Sequence, residues 1–165
     1  LLAEACAATL GAEPGQPHEL VVAEGLPPVW ADETLLGEVV RNLIENAMRY
    51  SDADAPVEVT AGLTDRGVEV AIGDHGEGVP AEEQDRIFQS FHRASSDEGS
   101  VKGSGLGLYF ADRIVEAMGG SIRVESPIWP SDEAPGARFI VLVPLAEDDP
   151  EAASAVADDA QLVMT

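Results

Sequence analysis

Two glycine-rich segments constrain this chain more than any other feature: Asp74-His75-Gly76-Glu77-Gly78 and Gly103-Ser104-Gly105-Leu106-Gly107-Leu108. The first directly follows an apolar run, Val70-Ala71-Ile72, that reads as a strand; the second opens a helical pattern. Glycines at such junctions turn the backbone sharply and admit a ligand where a Cβ would block it. A fold built on this chain must therefore hold a strand end and a helix start open for a ligand.

The rest of the chain supplies the frame. Residues 1–10 read as the end of a helix, stopped by Gly11 and Pro14, and 19–23 as a strand. Asp32 is a suitable N-cap, and Leu35, Leu36, Val39, Val40, Leu43, Ile44 and Ala47 then recur at helical spacing up to Tyr50. Residues 57–63 and 68–72 alternate as two antiparallel strands, with Thr64-Asp65-Arg66-Gly67 as the turn. Pro80 to Phe88 predicts a short helix with proline at its start. Residues 94–102 are small, polar and without period, and predict a mobile loop. A second long helix is expected over 106–118, stopped by Gly119-Gly120. Residues 122–125 and 138–144 close the sheet as a hairpin with a long insertion, 126–136.

The polar residues of this frame carry a chemistry. Asn42, Asn46 and Arg49, spaced i, i+4, i+7, share one face of the first long helix, beside its apolar stripe. A carboxamide oxygen is a hard neutral ligand, and Mg²⁺ takes one or two protein oxygens together with substrate phosphates. Asp74, at a strand end, is placed to accept a hydrogen bond from an exocyclic amine such as that of adenine. The free N–H groups at Gly103, Gly105 and Gly107, with the positive end of the following helix, favour phosphate. Their spacing matches neither a P-loop nor a dinucleotide-binding fingerprint. Taken singly, each feature has a plain reading: solvated helix residues, an ordinary turn, and, for Lys102, an exposed loop lysine. Together they describe a nucleotide pocket.

Composition narrows the partners. Nine basic residues against 31 acidic ones give a net charge of −22. Duplex nucleic acid and anionic membrane surfaces are poor partners for such a surface, because both are met by Lys and Arg. The acidity itself reads as solubility, or as the mark of a salt-adapted or acid-rich proteome. Cys6 is the only cysteine, so no internal disulfide forms, and a reducing, cytoplasmic setting fits. The run 139–143 is too short to span a bilayer. A start without Met, in what reads as mid-helix, suggests a piece of a longer protein, whose parent could be membrane-anchored. Residues 1–145 are expected to form one domain. Residues 146–165, with six acids and no base, are expected to be a disordered tail.

The order of the motifs resembles a known family. Asn42-Leu43-Ile44-Glu45-Asn46-Ala47-Met48-Arg49-Tyr50 is similar to the N box of sensor histidine kinases, and Asp74 to Gly78 to their G1 box. Ile87-Phe88-Gln89-Ser90-Phe91-His92-Arg93 is similar to the F box, and Gly103 to Leu108 to the G2 box. The resemblance implies the ATP-binding catalytic domain of the gyrase, Hsp90, histidine kinase and MutL superfamily. Its fold is a two-layer α/β (α+β) sandwich. A mixed, largely antiparallel sheet of about five strands packs on three helices, with a flexible ATP lid at about 92–104.

By that resemblance Asn46 would bind Mg²⁺, and Asn42 would support it or touch phosphate. Arg49 would contact phosphate, Tyr50 would pack near adenine or ribose, and Asp74 would read the adenine amine. Gly76, Gly78, Val79 and Phe88 would also bind the nucleotide. Arg93 would act from the lid. Lys102, Gly103, Ser104, Gly105, Leu106, Gly107 and Leu108 would cradle the phosphates. His75 replaces the usual small polar residue, and the 126–136 insertion is longer than typical. The implied partners are ATP or ADP, the dimerisation and phosphoacceptor domain of the parent kinase, and a response regulator in a phosphorelay. Pro17-His18-Glu19-Leu20 superficially resembles a phosphoacceptor box, but Val21-Val22-Ala23 follows where Arg-Thr-Pro is required, so the acceptor histidine is expected on a domain outside this chain. Gyrase- and Hsp90-type ATPases share the pocket but carry a water-activating Glu at the position of Asn42. A non-catalytic nucleotide sensor and an anti-sigma-factor kinase share the fold as well.

Overall fold

The computed structural model describes residues 2–11, 16–52, 54–91, 105–130 and 134–146. The expected lid at 92–104 and almost all of the expected acidic tail lie outside the described residues. The elements run α1 (Leu2–Gly11), β1 (His18–Val22), α2 (Glu33–Tyr50), β2 (Val57–Thr64), β3 (Gly67–Gly73), α3 (Gly107–Ala117), β4 (Ser121–Glu125) and β5 (Arg138–Val143).

The strands form one sheet in the order β1-β2-β3-β5-β4. Only the β1–β2 pair is parallel, and α2 makes the crossover that a parallel pair needs. The mixed, largely antiparallel sheet on three helices expected from the motifs is the observed one.

The apolar stripe of α2 sets the packing. Leu36, Val39, Val40, Leu43, Ile44 and Ala47 are buried against one face of the sheet. Val57, Val59, Val70, Ile72, Phe139, Val141 and Val143 meet them from the strands, Cys6 and Leu10 from α1, and Ala111 and Val115 from α3. Each large side chain fully withdrawn from water contributes about 1.5–3 kcal/mol. On the other face, Ile140 and Leu142 are also buried, and the Arg123–Glu69 ion pair (3.0 Å) joins the two strands that flank them. The Asp32 carboxylate caps α2 by accepting from the Leu35 N–H at 2.9 Å, as its position predicts.

Residues 81–88 depart from expectation. They form successive turns, not a helix: Glu83, Arg86 and Gln89 each donate to the carbonyl three residues back, and only Ile87 reaches four back, to Glu83. A segment this short does not nucleate a helix by itself. Its shape follows its anchors: Ile87 is buried, Phe88 packs on the core, and the Gln84 amide donates to the carbonyls of Val79 and Ser126. Among the described residues no helix is long and apolar enough to cross a membrane.

Candidate functional site

Helix α2 is the spine of the site and is gripped at two levels. In its middle, the Asn42 carboxamide lies against Gly107, the first residue of α3: a Cβ there would sit 2.6 Å from Asn42 Nδ2. At its end, the Ser51 hydroxyl accepts from the His75 N–H at 3.0 Å, and a Cβ on Gly76 would sit 2.4 Å from the Tyr50 carbonyl oxygen. The helix rise of about 1.5 Å per residue separates these two levels by about 13 Å. Asn46 lies between them and, like Asn42, is half-buried. Asn46 Nδ2 donates weakly to Asn42 Oδ1 at 3.4 Å, so the Asn46 oxygen takes no part in this contact. Arg49 and Tyr50 are exposed on the last turn.

Asp74 sits just past the end of β3 and is 4% exposed. Its Oδ1 accepts from the N–H groups of Gly76 (3.0 Å) and Ala137 (3.1 Å). Burial pushes its carboxyl above the ordinary value; those two N–H groups and, more weakly, His75 pull the other way. A buried carboxylate with one oxygen fixed by the main chain has the other to offer, and its environment makes a hydrogen-bonded partner valuable. Gly78, at φ 73°, carries the chain out of this loop into Val79.

The remaining residues singled out in the sequence divide into groups. Leu106 precedes α3, and its side chain provides no cap for the first N–H groups of the helix. Gly105, at φ 68°, accepts from the N–H of Phe91 at 3.1 Å, which ties together the two ends of residues 92–104. Phe88 packs edge-to-face on Phe139, and Val79 and Leu108 also rest on the core, so these three support the site from below. Arg93, Lys102, Gly103 and Ser104 lie outside the described residues.

A further set of residues went unrecognised in the sequence. The connection between β4 and β5 folds back on the Asp74 loop. The Trp129 indole N–H donates to the Asp74 carbonyl at 3.1 Å, and the Gly136 N–H to the Gly76 carbonyl at 2.9 Å. A tryptophan inside a proline-rich insertion was the available signal, since a large aromatic there needs a surface to cover.

Residues 31–147 match the family model described as histidine kinase-, DNA gyrase B- and HSP90-like ATPase. The chain belongs to this family. Within it, the similar proteins are sensor kinases. The adaptive-response sensory kinase SasA of Gloeothece citriformis is 42% identical over 108 residues, 65% of this chain and 27% of that protein. The sensor histidine kinase Hik2 of Thermosynechococcus vestitus is 34% identical over 113 residues, 68% of this chain and 29% of that protein. Among solved structures, the mycobacterial sensor histidine kinase MprB superposes with a TM-score of 0.77 at 30% identity, covering 87% of this chain and 95% of that one. Full-length ShkA in complex with AMPPNP gives 0.71 at 27% identity, covering 88% of this chain and 31% of that one. The chain is thus a catalytic domain of the histidine kinase type. It spans about a quarter of the length of the curated relatives it matches.

Proposed function

We propose that this chain is the ATP-binding catalytic domain of a two-component sensor histidine kinase. It presents the γ-phosphoryl group of ATP to a histidine on a separate dimerisation domain, from which a response regulator receives it. The observation that carries this reading is the pairing of Asn42 with Gly107. It puts an amide beside the start of α3, at the position where the ATPases of the family carry Glu. An amide cannot take a proton from water, so the site is suited to positioning a phosphoryl donor and poorly suited to hydrolysis. The acids nearest Asn42 on α2, Glu38 and Glu45, are exposed and paired with Arg41.

The two levels of α2 suit the two ends of ATP. The Asp74 loop would take adenine, with Oδ2 accepting from its amine, and Tyr50 beside it. The start of α3, with Asn42, Arg49 and the Lys102 to Gly107 segment, would take the phosphates. Asn46, its oxygen outside the contact with Asn42, would hold Mg²⁺, whose charge neutralises the phosphate oxygens. Arg93 would join from the 92–104 segment. ADP would occupy the same groups after transfer. We assign residues 1–145 to this domain and 146–165 to an acidic tail. We place its action in the cytoplasm, where ATP and a reduced Cys6 are found, including the cytoplasmic side of a membrane-anchored parent. Nucleic acid has no place in this scheme.

The test is transfer. The chain incubated with γ-labelled ATP and Mg²⁺ should neither become labelled nor release phosphate appreciably. Adding the parent's helical domain should place acid-labile label on that domain's histidine, because the nucleophile is what the chain lacks. Robust phosphate release by the chain alone would replace this reading with the gyrase-type ATPase. Stable acid-labile label on His18 would move the acceptor into this chain.

A further inference from the structure

We propose that Trp129 is a positioning residue for Asp74, and that the β4–β5 connection is thereby a working part of the nucleotide site. This rests on the reading of Asp74 as the group that meets adenine. Residue 74 is held from both sides by that connection. Its N–H donates to the Ala137 carbonyl at 2.9 Å, its Oδ1 accepts from the Ala137 N–H at 3.1 Å, and its carbonyl accepts from the Trp129 indole at 3.1 Å. A carboxylate's aim follows the orientation of the peptide groups on either side of it. Freeing either group lets the side chain swing, and Asp74 has both groups tied to one segment.

Trp129 is itself locked. Its ring stacks on His75 at 4.4 Å between centroids and 8° between planes. The same edge that carries its N–H lies against Gly136, where a Cβ would sit 2.5 Å from Trp129 Cδ1 and 2.8 Å from Nε1. The Ser126 hydroxyl closes the unit: it accepts from the Val79 N–H at 2.9 Å and donates to the Gly136 carbonyl at 2.8 Å. Among the large aromatic side chains only tryptophan combines a broad stacking face with an N–H donor that never accepts. Phenylalanine would cover His75 but leave the Asp74 carbonyl without that donor. The residue type therefore matches the double task.

The test separates aim from mere packing. Calorimetry gives the Kd of the full chain for ATP-Mg²⁺ and for purine riboside triphosphate, which is ATP without its amine. Trp129→Phe should weaken ATP by about three- to ten-fold, the cost of one hydrogen bond, and leave the amine-free nucleotide unchanged. Equal weakening of both nucleotides, or of neither, overturns the positioning role. Asp74→Asn is measured alongside. If it weakens ATP while Trp129→Phe is unselective, the Asp74 reading stands and the Trp129 proposal falls; if it leaves ATP untouched, both fall. Should Trp129→Phe not fold, Ser126→Ala carries the same expectation of a smaller, amine-selective loss, and an unselective result overturns the proposal equally.

Discussion

The Asn42 carboxamide occupies the space into which a Cβ on Gly107 would project, with Nδ2 2.6 Å and Oδ1 2.9 Å from that position. Glycine there leaves the carboxamide its place, and the contact joins the middle of α2 to the first residue of α3. The atoms in the way are the end of a side chain, which yields more easily than backbone. Relief therefore costs the fold little and the site much.

Gly107→Ala should accordingly keep the nucleotide-free melting temperature close to that of the parent, since alanine also favours the helix by up to about 1 kcal/mol. It should weaken ATP-Mg²⁺ by about ten-fold, in the range expected when one polar ligand contact is displaced. Thermal melting and calorimetry on the same protein check both halves. Unchanged affinity would take Asn42 out of the phosphate site.

Asp74→Asn should trade affinity for stability. Burial holds the Asp74 carboxyl above its ordinary value, so the folded chain binds its proton more tightly than the unfolded chain does. The contribution to stability is then greatest below the unfolded value of about 4 and is lost as pH rises through the folded value. At neutral pH the ionised group is a cost that asparagine removes, while the amide oxygen still accepts from Gly76 and Ala137. Denaturation without nucleotide should show the variant at least as stable as the parent at pH 7, with the difference vanishing below about pH 4. Its affinity for ATP should fall by about 1–3 kcal/mol. A variant destabilised at pH 7 and relieved at low pH would contradict the sign.

Asn46→Ala should remove the magnesium-dependent part of ATP binding and spare the rest. The affinity ratio measured with Mg²⁺ and with a chelator should approach one in the variant. A ratio equal to that of the parent would take the metal away from Asn46.

Asp32→Ala should separate fold from site. Losing the cap on α2 should cost about 1 kcal/mol of unfolding free energy, because the Leu35 N–H loses its partner. The folded variant should bind ATP with the affinity of the parent. Denaturant titration measures the first effect, and a changed Kd below the transition would show that the α2 start is coupled to the pocket.

Much of this was legible in the residues. The stripe from Leu36 to Ala47, the Asp32 cap, the hairpin turn at Thr64 to Gly67 and the turn at Asp74 to Gly78 follow from periods and local backbone chemistry, and the structure has them in place. The stretch from Pro80 to Phe88 misled, because proline at a helix start is a local signal and the anchors that turn the chain there are not local: Gln84 reaches Ser126, 42 residues away. Phe88 was read from its motif alone, and that its ring packs edge-to-face on Phe139 was not legible there.

Apart from the stretch from Pro80 to Phe88, the sequence by itself determined the helices and strands of the described residues, and which of them carry amides and acids. These properties depend on neighbours within a turn or two of chain. Only the tertiary structure decided that β1 runs parallel to β2, that Asn42 meets Gly107, and that the 126–136 connection closes over Asp74. Those contacts join residues separated by 39, 65 and 55 positions. Nothing in the spacing of residues along the chain encodes them. They arise because α2 has one apolar face to bury, and seating it on the sheet brings the loops at the strand ends together.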